Sequence, residues 1–271
     1  MRDALLRRLG GSCAALALLA AAAPAQHALA AGFAVLITPP RFELRAQPGE
    51  VLRQVLEITN AADGTTRLAV QTAEWNFGED GAVVFSNPLA EDRCRPWTAL
   101  EARELELGPN GRRRFRFEVA VPADAATREC RFAITFEGEP EAVGPLALPV
   151  AGRIGIVVYV AIGDAQPRLE LREAVVVDSE GGKLPALTVV NTGNAHTRLG
   201  GFLSGRDESG QSLVFIPQSL PVLPGQTRTI ALQLQWPEGE ALPEIRFPIR
   251  LSGRLDWSGQ RLDIDEVFTG E

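Results

Sequence analysis

Histidine is almost missing from this chain: among 271 residues only His27 and His196 occur. His27 falls in the N-terminal segment, which leaves His196 in a polar stretch, residues 194–197, that reads as a surface loop. One histidine cannot supply the His-x-x-x-His spacing of a zinc site. No Cys-x-x-Cys pair and no Gly-x-Ser-x-Gly elbow occurs either. Gly181-Gly182-Lys183 runs into Leu184, without the hydroxyl or the earlier glycine of a phosphate loop, and reads as a hairpin turn. Acidic residues are plentiful, but a working carboxylate pair is a spatial relation that sequence does not display. The expectation is a non-enzyme with no metal and no cofactor. A hydrolase with an unrecognised carboxylate site would require a deep acidic pocket.

Excess positive charge is also lacking. Lys and Arg number 27 against 34 Asp and Glu, a formal charge of −7. Losing residues 1–30, with three arginines and one aspartate, takes it to −9. An acidic chain with no basic face does not suit a phosphate backbone, so no nucleic-acid partner is expected.

Long apolar runs are missing outside the N-terminus. Residues 14–23 are uncharged and apolar and follow Arg2, Arg7 and Arg8, the layout of an export signal. The run falls short of the roughly 20 residues that span a bilayer. Ala23-Pro24-Ala25 and Ala28-Leu29-Ala30 both offer small-residue cleavage sites, and the second is favoured because strand-like sequence begins at Phe33. Cys13 stands before the apolar run, which argues against a lipid anchor. Residues 1–30 are therefore expected to be a cleaved signal, and the remainder to enter a periplasm without stable membrane insertion.

Two cysteines then remain, Cys94 and Cys130. In an oxidising compartment they pair if the fold brings them within reach; otherwise they are separately buried thiols.

What the chain does contain is strand grammar. Short segments rich in Val, Ile, Leu and Phe alternate with polar residues at intervals of about ten residues, separated by Gly, Pro, Asn and Asp. Residues 51–58 and 67–75 are expected to form one hairpin, and in residues 112–119 Phe115, Phe117 and Val119 share a face opposite Arg114, Arg116 and Glu118. The second half repeats the pattern. Ile58-Thr59-Asn60 resembles Val189-Val190-Asn191, and Leu107-Gly108-Pro109-Asn110-Gly111 resembles Val222-Leu223-Pro224-Gly225-Gln226. The expected fold is all-β, two tandem immunoglobulin-like β-sandwich domains, residues 31–163 and 164–271, joined at 163–167.

Ile37-Thr38-Pro39-Pro40-Arg41-Phe42-Glu43-Leu44, followed by Gln47-Pro48-Gly49-Glu50 and a strand ending at Asn60, resembles the opening of PapD-like periplasmic pilus (fimbrial) assembly chaperones. Further matches follow in order: Trp75 with the turn at 78–81, the segment 105–111, and Pro122-Ala123-Asp124 leading to Arg128-Glu129-Cys130-Arg131-Phe132. The likeness covers residues 33–163, with a weaker echo beyond, and identifies a divergent member.

The resemblance implies a chaperone that caps pilus subunits by lending a strand and delivers them to an outer-membrane usher. The donor strand would run from about Val143 to Val160, with Leu146, Leu148 and Val150 filling alternate pockets. Arg41 and Arg153 match the two basic residues that hold the subunit's terminal carboxylate. Pro145 and Pro149 interrupt this strand, and Val160-Ala161-Ile162 stands where the family carries an interdomain arginine that pairs with acids, one of which Glu129 resembles. The domain angle is therefore expected to be held differently. The alternative is an exported adhesive or scaffold protein.

Overall fold

The structure, a computed structural model, describes residues 33–78, 82–89, 93–143 and 148–270. The expected signal, residues 1–30, lies outside the described residues, as do Pro145 and Leu146.

The chain opens with β1 (Val35–Thr38) and β2 (Arg41–Ala46). These are one extended segment broken at Pro39-Pro40, which cannot donate to a ladder, and the chain passes there from one sheet to the other. The first half continues through β3 (Val51–Asn60), β4 (Thr66–Phe77), β5 (Val83–Ser86), β6 (Thr98–Leu100), β7 (Glu104–Leu107), β8 (Arg112–Ala120) and β9 (Glu129–Gly138). It ends with β10 (Glu141–Val143), β11 (Leu148–Val150) and β12 (Arg153–Ile162). One sheet has the order β1-β3-β8-β6, and the facing sheet β2-β12-β9-β4-β5 with β7 also paired to β4. Residues 51–58 and 67–75 therefore do not form the expected hairpin: the turn between them carries the chain from one sheet to the other. Between them lie Leu56, Ile58, Phe115, Phe117, Phe132, Phe136, Ile156 and Val158, all buried.

Cys94 and Cys130 are joined in a disulfide with Cα atoms 5.8 Å apart. It ties the short 3-10 turn Arg95–Trp97 to β9.

The second half forms a single seven-stranded antiparallel sheet of order β13-β14-β17-β16-β15-β18-β19. Its strands are β13 (Leu169–Ser179), β14 (Gly182–Asn191), β15 (Gly200–Arg206), β16 (Ser212–Pro217), β17 (Thr227–Leu234), β18 (Ile249–Trp257) and β19 (Gln260–Phe268). The sheet curls until β13 meets β19, around a second core that includes Leu187, Leu203, Phe215, Ile230, Leu251 and Phe268. The architecture is all-β, with two immunoglobulin-like units.

The two sequence echoes touch each other in both halves. Asn60 is fully buried, and its Nδ2 donates to the carbonyls of Gly64, Leu107 and Gly108. Asn191 is equally buried, and its Nδ2 donates to Ala195 and Val222. Each asparagine thus satisfies carbonyls of the loop that follows its own strand and of the distant strand-turn segment, so one residue type at a strand end specifies the same junction twice.

The candidate cleft between the domains

The alternation of β12 sets the site. Ile154, Ile156, Val158 and Val160 enter the core, which turns Arg153, Gly155, Val157, Tyr159 and Ala161 to the other face of the sheet. β2 pairs with β12 in parallel, Arg41 opposite Val157 and Glu43 opposite Tyr159, so Arg41 and Glu43 share that outer face. The second domain docks here. Leu223 packs with Trp75, Ala133 and Tyr159, while Phe77, Phe85 and Val157 flank them. A Cβ at Gly155 would overlap the ring of Phe85, so glycine lets the β4–β5 hairpin lie across this face.

Above this apolar floor runs a charged network that crosses the domain junction. His196 stacks on Tyr159, ring centroids 3.6 Å apart and 18° from parallel. Its Nδ1 lies 2.5 Å from Glu129 Oε2, and its backbone N–H donates to the same oxygen at 3.0 Å. Both side chains are buried, 7% and 3% exposed. The Glu129 N–H donates to the Asn194 carbonyl, and Asn194 Nδ2 donates to the Thr127 carbonyl. Ala161, Ala165 and Ala195 form a small-residue contact beside them that lets the backbones approach.

Two residues after His196, Arg198 Nη1 donates to Glu43 Oε1 at 2.5 Å. Arg41 Nε donates to the same oxygen at 2.9 Å, and His196 Nε2 lies 3.7 Å from it. Partial burial pushes the Glu43 pKa upward, but the charges of Arg198, His196 and Arg41 outweigh it and hold the carboxyl below its ordinary range. Burial pushes the Tyr159 phenol up to about 12, against the nearby charge of Arg198. Arg131, whose guanidinium lies 5.4 Å from the Trp75 ring centre, is lowered from its ordinary value, chiefly by burial and then by the charge of Arg93.

No family model matches the chain, and no curated protein matches it in sequence. Solved structures do. In fold, the chain is similar to PapD-like pilus chaperones. The E. coli chaperone DraB is 15% identical over 86% of this chain and 99% of its own, with a TM-score of 0.44. The CsuC chaperone, from its pre-assembly complex with the tip adhesion subunit CsuE of Acinetobacter baumannii Csu pili, is 14% identical over 87% and 98%, with a TM-score of 0.43. The SafB chaperone, from its complex with the Salmonella enterica SafA pilin, is 15% identical over 87% and 96%, with a TM-score of 0.43.

The residues expected to bind a guest fall as follows. Arg41 and Arg153 lie on one face of the same sheet, four residues apart along β12, or about 13 Å at the rise of an extended strand. Arg41 is held by Glu43, and Arg153 by Glu137, which accepts from both Nε and Nη2. Leu148 and Val150 lie in β11, which pairs with β10 as a separate two-stranded ribbon, and Val150 is 55% exposed. The expected continuous strand from Val143 to Val160 is therefore corrected. β10, β11 and β12 are three pieces: β11 pairs with β10 as far as Val150, and from Gly152, whose carbonyl accepts from Gly138, the chain follows β9 instead.

His196 also requires correction. It is expected on a surface loop, yet it is the buried partner of Glu129 in the cleft. Arg198, Glu43 and Tyr159 were not singled out from sequence. For Glu43 a signal existed: two residues from Arg41 on one strand, it has to share that residue's face.

Among the described residues no three His, Cys, Asp or Glu side chains are placed to hold one metal ion. A groove of about 530 Å³ lies elsewhere, lined by Glu104, Glu106, Glu137 and Glu139. Of these, Glu106 accepts from Arg67 and Glu137 from Arg153.

Proposed function

We propose that this chain is an exported, periplasmic, non-catalytic chaperone that caps pilus-type subunits by offering them a strand edge. One observation carries the reading. β12 is paired on both edges from Val157 onward, by β9 and β2, but over residues 153–156 it is paired by β9 alone among the described residues. Arg41 stands where β2 begins.

A guest strand added along the open stretch would run into the start of β2 and end beside Arg41. A guanidinium there favours a terminal carboxylate over a terminal ammonium, so the guest would lie parallel to β12 with its C-terminus in the cleft. Arg153, on the same face, is the second guanidinium available to it. An incomplete sandwich needs backbone partners and apolar side chains together. β12 supplies the first. In this reading Leu146, Leu148 and Val150 supply the second, and subunits so capped pass to an outer-membrane usher.

The test is capture of a pilus-type subunit encoded in the same genome and co-expressed in the periplasm. Arg41→Ala is expected to reduce the co-purified subunit strongly, and Arg153→Ala to a lesser degree. Undiminished capture by both variants overturns the anchoring role.

A further inference from the structure

Glu43 is the single carboxylate on which Arg41 of the first domain and Arg198 of the second converge, and both donate to one oxygen, Oε1. Its other oxygen takes no hydrogen bond from the described residues, and the side chain is 46% exposed. Arg198 is mostly buried, and its Nε makes no hydrogen bond, so it reaches the half-open edge through Nη1, the atom that now holds Glu43. The arrangement has the chemistry of a bound carboxylate: two guanidinium groups, an imidazole behind them, and one half-open edge. It also lies where a strand following the open edge of β12 would end, because Glu43 is two residues past the start of β2 and faces the same way as Arg41.

We propose that Glu43 is an internal stand-in for the guest's terminal carboxylate. This rests on the strand-capping function proposed above. In the idle chaperone Glu43 occupies Arg41 and ties it across the cleft to Arg198. A guest carboxylate binds by displacing Glu43, and takes donors from Arg41 and Arg198 together. The empty site is thereby kept closed to weak anions, and arrival of a guest releases one of the ties between the domains. The ties of Glu129 to His196 and Asn194, and of Asn194 to Thr127, do not use Glu43 and stay in place.

The probe is an N-terminally labelled, strand-forming hexapeptide of alternating valine and threonine, with a free C-terminal carboxylate or a C-terminal amide, followed by fluorescence anisotropy on the full exported chain. Glu43→Gln is expected to bind the free-carboxylate form about five- to tenfold more tightly than the parent, the scale of removing one competing charge pair. Binding of the amide form should not change. Glu43→Ala should move in the same direction. Detectable binding of the carboxylate form by these variants alone, with none by the parent, also supports displacement.

Adding Arg198→Met to Glu43→Gln should reverse the gain, and no reversal removes Arg198 from the site. If the parent prefers the carboxylate form but both Glu43 variants bind it equally or more weakly, Glu43 is structural and the stand-in is refuted while anchoring survives. If neither parent nor variants distinguish carboxylate from amide, the anchoring reading itself fails.

Discussion

His196 Nδ1 sits 2.5 Å from the Glu129 carboxylate, joining the loop before β15 to the first residue of β9 and so one domain to the other. Glu129 is nearly inaccessible, and its second oxygen, Oε1, has no hydrogen-bond partner. The histidine therefore supports a buried charge that would otherwise stand almost alone.

Removing it should be costly. His196→Ala is expected to destabilise the protein by about 3 kcal/mol or more, because a buried carboxylate loses its partner. Glu129→Gln should cost less, since the amide oxygen can still accept from the His196 backbone. Denaturant unfolding measures both, and small-angle scattering should show a wider range of domain separations in His196→Ala alone.

Tyr159 is the only tyrosine, so its ionisation can be read directly by ultraviolet absorbance. The folded protein should titrate near pH 12, and the denatured chain near the ordinary value of about 10. The folded pKa is raised, so this contribution to stability is complete below about pH 10 and is lost as pH climbs toward the folded value. Tyr159→Phe should remove that alkaline decline.

Asn60 and Asn191 should behave alike although they lie in different domains. Replacing either with Ala leaves buried carbonyls without donors, and each change is expected to cost about 3 kcal/mol. Replacement with Asp should be at least as damaging, since a carboxylate cannot donate. Parallel unfolding curves for the four variants check the equivalence.

The bond between Cys94 and Cys130 closes a loop spanning 36 residues of sequence. Cys94→Ser with Cys130→Ser should lose roughly 3 to 4 kcal/mol in the chain-entropy account. Equal stability of the oxidised parent and the double variant would contradict it.

Much of the first domain is legible in the sequence because its strands follow a clean two-residue alternation, as at Phe115, Phe117 and Val119. The echo of Asn60 in Asn191 is legible too, since a buried side chain with several backbone partners tolerates little else. Strands of the second domain are harder to see. β15 carries Gly200, Gly201 and Gly205, which read as loop, yet Cβ atoms at 201 and 205 would strike the backbone of β18, so close strand approach requires glycine there.

The cleft was only half visible. Arg41 stands out by its place after two prolines, but the ties of Glu43 and Glu129 run to Arg198 and His196, at sequence separations of 155 and 67. A histidine in a polar loop looks exposed until the fold lays another domain over it.

The proline break between β1 and β2 has a mechanical side. Tension at the N-terminal end would first reach β1 in one sheet and then, through Pro39-Pro40, β2 in the other. β2 ends beside the domain junction, where the Gly163 N–H donates to the Ala46 carbonyl. A load on the leading segment would therefore be shared by both sheets and carried to Gly163, the last residue before the junction, so the front of the chain acts as a lashing across the two layers of the first sandwich.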